Sequence, residues 1–229
     1  HAVDVLAARP QMVIFWAGYS FSREYNSPRG HKHAIEDMRA ILRTGNPGID
    51  GEGDIQPATC WTCKGPDVPR MMHEVGIANF YKAPWSSMGA EIMNPIGCGD
   101  CHDPKTMDLK ITRPALIEAF QRQGKDITKA TQQEMRSLVC AQCHVEYYFK
   151  GEGQYLTFPW DKGMTMEDAE AYYDETDYYD YIHALSRAPI LKAQHPEYEI
   201  AQQGIHAQRG VACADCHMPY KSEGGIKYS

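Results

Sequence analysis

All eight cysteines of the chain fall in four Cys-x-x-Cys pairs, and this pattern limits what can sit at its centre. The pairs are Cys60 with Cys63, Cys98 with Cys101, Cys140 with Cys143, and Cys213 with Cys216. Three of them are followed at once by a histidine, His102, His144 and His217; the first, in CWTCK, is followed by Lys64. C-x-x-C-H is the signature of c-type haem attachment. Two thiols three positions apart can each form a thioether to a haem vinyl group, and the next residue then lies under the iron as an axial ligand. Zinc ribbons also use paired Cys-x-x-Cys units, but need no histidine directly after each second cysteine. Redox disulfides of this spacing come with a thioredoxin-like βαβ pattern, which is missing here. Four haems in 229 residues leave about 57 residues for each, so porphyrins would form a large part of the core.

The motifs begin at 60, 98, 140 and 213, with no fixed period, which excludes a solenoid. Helical patterns dominate the rest. SPRGHKHAIEDMRAILRTG predicts a helix from near Pro28 to before Gly45, with Ile35, Met38 and Leu42 on one face. ITRPALIEAFQRQG predicts a helix with Thr112 as N-cap, and DITKATQQEMRSLVCAQCH one that runs into the third motif. GNPGIDGEGDIQPA, before Cys60, reads as a Gly/Pro loop, and the acidic, tyrosine-rich stretch around 164–186 as a solvated helix face. The expected fold is mainly α, a multihaem cytochrome c with long loops and little β structure. It would be one domain over 1–229.

A formal charge of -7 with no basic stripe argues against nucleic acid as a partner. No run approaches the roughly 18 apolar residues of a membrane-spanning helix, and MVIFWAGY is far too short. Covalent haem attachment implies assembly outside the cytoplasm, so the expected location is periplasmic or otherwise exported. The chain opens on His1 and closes in GGIKYS, and is expected to be cut at both ends.

Lys64 breaks the pattern. A haem with histidine on both faces only passes electrons, whereas catalysis needs an open coordination position. A deprotonated lysine amine can ligate iron, and an unusual fifth ligand would mark the one haem that binds a substrate. The motif alone equally permits a surface lysine, with a distant histidine on that iron.

CWTCK followed by three C-x-x-C-H motifs, together with WAGYSFSREYNSPRGH, CAQCHVEYYF and LKAQHPEYE, resembles the ammonia-forming cytochrome c nitrite reductases over nearly the whole chain. That family is pentahaem, periplasmic and mainly helical. The resemblance implies nitrite as substrate, Lys64 on the catalytic iron, and Arg43, Tyr147 and His195 as catalytic residues around it. Arginine offers an anion fixed charge and forked donors, histidine supplies protons near neutral pH, and tyrosine donates a hydrogen bond or a proton. Without the family, Arg43 reads as a cation at a helix C-terminus, Tyr147 as aromatic packing, and His195 as a loop residue before Pro196.

The resemblance further implies calcium, held by the side chains of Glu146 and Gln194 and the carbonyls of Tyr147 and Lys192. It makes His31 the distal ligand of the haem on Cys140 and Cys143, and His206 that of a fifth haem, whose motif lies outside this sequence. It also implies a homodimer and, as electron donor, a membrane-anchored multihaem quinol-oxidising cytochrome. Two alternatives stay open: a cytochrome that only transfers electrons, and a related multihaem enzyme acting on hydroxylamine or sulfite.

Overall fold

The computed structural model describes residues 2–42 and 56–228. Among them are twelve helices: α1 Val5–Ala8, α2 Met12–Phe15, α3 Ala34–Ala40, α4 Asp67–Val75, α5 Ile77–Lys82, α6 Trp85–Met88, α7 Pro114–Arg122, α8 Gln132–Ala141, α9 Met166–Glu175, α10 Glu197–Gln203, α11 Ile205–Gln208 and α12 Cys213–His217. Six short strands, β1 Tyr148–Lys150, β2 Tyr155–Thr157, β3 Tyr181–Ile182, β4 Pro189–Ile190, β5 Lys221–Glu223 and β6 Ile226–Tyr228, pair only as β1–β2, β3–β4 and β5–β6. The mainly helical expectation holds. Among the described residues no helix is long and apolar enough to cross a membrane.

The chain forms two compact units. Unit 1 comprises 1–97, 149–156 and 173–192. Its core gathers where α4 presents Val68, Met71 and Met72 at helical spacing, joined by Phe80 and Tyr81 of α5, Met88 of α6 and Ile92. Gly76, at φ +83°, turns the chain from α4 into α5, a conformation that a side chain would strain. A second cluster packs Trp16, Tyr19, Phe21, Tyr25 and Tyr181, with the Phe21 and Tyr25 rings stacked at 4.5 Å and those of Tyr19 and Tyr181 tilted at 4.9 Å.

The helix expected over 28–44 is shorter than its pattern. His31–His33 form a 3-10 turn, α3 begins at Ala34, and Ile41 is already extended at ψ 145°. Polar contacts explain both ends. Arg29 ties the entry to Asp37 at 2.5 Å and to Glu36 at 2.9 Å, while the Leu42 amide leaves the helix to donate to the Glu24 carboxylate.

Unit 2 comprises 98–148, 157–172 and 193–229. Ala115, Leu116, Ala119 and Phe120 of α7 and Leu138, Val139 and Ala141 of α8 are buried, with Val145, Phe158, Trp160 and Tyr198. Thr112 is not the N-cap of α7. That position is Arg113, which makes no side-chain cap, and Pro114 starts the helix with a pre-set φ. The Thr112 hydroxyl instead reaches the Asp100 carbonyl at 3.0 Å. α8 does run into the third motif, but begins only at Gln132, where Thr131 and Glu134 form a capping box; Ile127–Lys129 is a separate 3-10 turn. In α9 the acidic Glu167, Glu170, Asp174 and Glu175 face solvent as expected, whereas Tyr172 and Tyr173 are buried.

Candidate functional site: four Cys-x-x-Cys motifs on two units

Unit 1 holds one motif and unit 2 the other three. The first lies at the end of a 3-10 turn, Ala58–Trp61, that the core grips from inside. Trp61 is fully buried, stacks on Trp85 at 4.6 Å and donates its indole N–H to the Trp85 carbonyl at 2.9 Å. The Thr59 hydroxyl contacts the carbonyls of Tyr81 and Gln154 at 3.0 and 2.7 Å, and that of Thr62 donates to Thr59 O at 2.7 Å. With its backbone thus fixed, Lys64 emerges half-buried. The next residue must be small, because a Cβ at Gly65 would run into the Asn94 carbonyl.

The backbone ladder separates the lysine from the histidines. Lys64 N bonds back three residues, to Trp61 O at 2.9 Å, whereas His102 N and His144 N bond back four, to Cys98 O at 2.8 Å and Cys140 O at 2.9 Å. Lys64 thus leaves a tighter turn than its histidine counterparts.

In each motif at least one residue between the cysteines is buried, namely Trp61 and Thr62, Asp100, Ala141 and Gln142, and Ala214, whereas Gly99 is exposed and Asp215 half-buried. The cysteines themselves stay within reach of a ligand. Cys60, Cys63, Cys101, Cys140, Cys143 and Cys213 are half-buried, Cys98 and Cys216 are exposed, and none is in a disulfide. The second cysteines differ in setting: Cys63 and Cys143 sit half-buried in the turns before Lys64 and His144, whereas Cys216 is exposed beside His217 on the last turn of α12.

His102 is held in a particular tautomer: its Nδ1 donates to Met107 O at 2.7 Å, which leaves Nε2 with its lone pair for a ligand role. Burial pushes the Cys101 thiol up, while a hydrogen bond from the Cys140 thiol to the Cys213 sulfur holds Cys213 below the ordinary thiol range. Among the described residues, no group of three or more His, Cys, Asp and Glu side chains is placed to hold a metal ion.

Unit 2 also brings together several residues singled out in the sequence. The rings of Tyr147 and His195 lie 6.3 Å apart and nearly parallel, and those of His144 and His195 6.5 Å apart. Glu146 is buried, and its carboxylate accepts the Gln194 amide at 2.5 Å. Glu199 fixes the same segment from α10. Its Oε1 accepts Glu146 N at 2.9 Å and Trp160 Nε1 at 2.7 Å, its Oε2 is buried without a hydrogen-bond partner, and burial raises its pKa. Glu197 stands between the rings of His144 and His195, at 3.7 and 3.8 Å. His206 and His217 are exposed.

In unit 1, His31 is exposed on its 3-10 turn. The Lys192 ammonium sits over the rings of Tyr19 and Phe21 at 5.8 and 5.5 Å, and its amide donates to Asp180 at 2.6 Å. Arg43 lies outside the described residues. His183, which had no role in the sequence reading, is structural: its Nε2 contacts Ile14 O at 3.0 Å and its Nδ1 accepts Ser186 N at 3.1 Å. The sequence reading also missed Asp100, Arg113, Gln142, Arg136 and Asp215, which pin the motifs of unit 2. A signal was present, since a polar residue stands directly before the second cysteine of every motif.

A helical scaffold that turns four such motifs outward defines the class: a multihaem c-type cytochrome. The chain belongs to the cytochrome c552 family, whose model matches residues 1–229. It is 78% identical over 228 residues to a cytochrome c-552 of Porphyromonas gingivalis, an alignment that covers 100% of this chain and 46% of that protein. It is 52% identical over 235 residues to a cytochrome c-552 of Aliarcobacter butzleri, covering 99% of this chain and 47% of the relative. Among solved structures it resembles the cytochrome c nitrite reductase of Desulfovibrio desulfuricans, described as a catalytic subunit with two calcium sites, at TM-score 0.86 and 41% identity over 95% of this chain and 49% of that one. The chain therefore spans about half the length of the relatives it matches.

Proposed function

We propose that this chain forms part of an exported cytochrome c nitrite reductase that reduces nitrite to ammonium, and that Lys64 marks the haem where the reaction occurs. The observation that carries this reading is the odd motif: one of four outward-facing attachment sites presents a lysine, on a tighter turn, where the others present histidine. Both units would serve one multihaem catalytic domain. The residues suit covalent haem c, since none of the eight cysteines is in a disulfide, each is partly or fully exposed, and His102 keeps Nε2 for a metal. Thioethers would form at Cys60 and Cys63, at Cys98 and Cys101, at Cys140 and Cys143, and at Cys213 and Cys216. The haem supplies a redox-active iron able to bind nitrite and to pass on the six electrons that, with eight protons, convert it to ammonium and two waters.

The chain's own residues would supply charge and protons. Arg43 would hold the anion through a fixed positive charge and forked donors. His195 would deliver a proton to the departing oxygen, favouring heterolytic N–O cleavage. Tyr147, whose ring lies alongside that of His195, would donate to the later, more reduced species. His31 would be the distal ligand for the haem on Cys140 and Cys143, and His206 that of a fifth haem in the full-length protein.

A calcium ion, held by the side chains of Glu146 and Gln194 and the carbonyls of Tyr147 and Lys192, would fix this region. The buried Glu146 carboxylate suits a hard cation, and with the Lys192 ammonium lying over aromatic rings its carbonyl is the group left to ligate. A membrane-anchored quinol-oxidising multihaem cytochrome would deliver the electrons, to a homodimer.

The test is Lys64→His in the full-length, haem-loaded protein. Covalent haem should be retained, while ammonium formation from nitrite falls at least about tenfold, roughly 1.4 kcal/mol in the barrier. Wild-type turnover in that variant would sink the role of Lys64. A wild type that consumes no nitrite would leave a cytochrome that only carries electrons, and parallel assays with hydroxylamine and sulfite would assign the substrate.

A further inference from the structure

Two of the polar residues that precede second cysteines in unit 2, Asp100 and Gln142, are joined through the Gln142 amide, while Asp215 is held separately by side chains of α8. Gln142, 1% exposed, belongs to the third motif and reaches across to the second. Its Oε1 accepts from Thr112 N at 3.0 Å, Arg113 N at 3.2 Å and the Thr112 hydroxyl at 3.1 Å. Its Nε2 donates to Asp100 O at 2.8 Å and Val139 O at 3.0 Å. Two main-chain N–H groups face one end of the amide and two carbonyls the other, which leaves it a single satisfactory orientation.

Beneath it, Arg113 and Asp100 form an ion pair at 2.5 Å, with side chains 1% and 5% exposed. From α8, Gln133 and Arg136 reach Asp215 of the last motif at 2.6 and 3.1 Å, and Ser137 Oγ accepts Cys213 N at 3.1 Å. Packed apolar residues would serve stability as well or better than a buried polar group, so such a network is explained more readily by register than by stability. Gln142 follows Asp100 by 42 residues in sequence, yet its side chain bonds the Asp100 backbone directly.

We propose that Gln142 is a positioning residue that locks the 98–102 and 140–144 motifs in register, and that the Asp215 bonds extend the same device to 213–217. This rests on the reading that the motifs carry haems; what Gln142 then fixes is the relative placement of two haem attachment points. The nearly isosteric Gln142→Met removes every hydrogen bond without adding charge. In the full-length protein, covalent haem is counted from its pyridine adduct, and component midpoints come from potentiometric titration followed optically and by EPR. The expected result is full haem content with two low-spin midpoints shifted and the others unmoved.

Full haem content with all midpoints at wild-type values overturns the proposal. If Gln142→Met does not accumulate, Thr112→Val decides: it removes the hydroxyl shared by Asp100 O and Gln142 Oε1 while keeping both main-chain donors. A smaller shift of two low-spin midpoints supports the proposal, and unchanged midpoints overturn it. A wild type without covalent haem would instead refute the haem reading itself, a distinguishable failure.

Discussion

The two units hold the same kind of motif by different chemistry. In unit 1, CWTCK is gripped by an aromatic stack and neutral hydroxyl contacts, with Trp61 against Trp85 and Thr59 on two carbonyls. In unit 2, ion pairs and a buried amide hold three motifs, with Arg113 on Asp100, Arg136 on Asp215 and Gln142 between. Aromatic surface needs only shape and exclusion of water, and it leaves the residue after the second cysteine free to vary. A polar network demands that each partner be present, but it gives each motif one allowed register. The difference matches the division proposed above: a single lysine-bearing site set apart for chemistry, and a set of histidine-bearing sites whose mutual placement matters.

The comparison breaks most visibly at the buried pair. Arg113→Met leaves Asp100 charged in a 3% exposed position, and should cost about 3–5 kcal/mol in urea unfolding of the haem-loaded protein. Pairing it with Asp100→Leu should recover part of that loss, because no buried charge then remains. A loss below about 1 kcal/mol in the single variant would mean that the network is ornamental. In unit 1 the corresponding test is Trp61→Phe, which keeps an aromatic ring but removes the bond to Trp85 O. About 1–2 kcal/mol should be lost, well below the Arg113→Met effect, with Lys64 still carrying its site. If Trp61→Phe is the costlier of the two, unit 1 rather than unit 2 depends on a specific polar contact.

Much of this was legible in the sequence, and what was not has physical reasons. The attachment motifs, the mainly helical character and the entry of α8 into the third motif can all be read from local patterns that the structure keeps. The neighbouring rings of Tyr147 and His195 became visible only through resemblance, since 48 residues separate them and no local rule joins them. Thr112 misled because a Thr just ahead of a helical pattern looks like a cap, whereas Arg113 takes that position and the Thr112 hydroxyl is drawn away to Asp100 O, 12 residues back. The helix pattern at 28–44 overran because Glu24 captures the Leu42 amide, a competition that periodicity cannot register. Gln142 went unnoticed because a polar residue before the second cysteine marks a position but not its partners, which lie 30 and 42 residues away in sequence.

The smallest expected effect lies at the entrance to α8, the helix that joins the third and fourth motifs. Thr131 accepts Glu134 N at 3.2 Å and the Glu134 carboxylate accepts the Thr131 amide at 2.6 Å and hydroxyl at 2.7 Å, which lowers the Glu134 pKa below its ordinary 4.5. Because the folded value lies below the unfolded one, the stabilisation is fully present above pH 4.5 and fades as pH falls through the lowered value. Thr131→Ala should cost about 1 kcal/mol at neutral pH. Glu134→Gln should flatten the acid limb of stability against pH while leaving neutral stability nearly unchanged, since an amide oxygen can still accept the Thr131 amide. An acid limb as steep in Glu134→Gln as in the wild type would place the acid sensitivity elsewhere, and α8 would then hold its motifs through Arg136 and Gln133 without help from its cap.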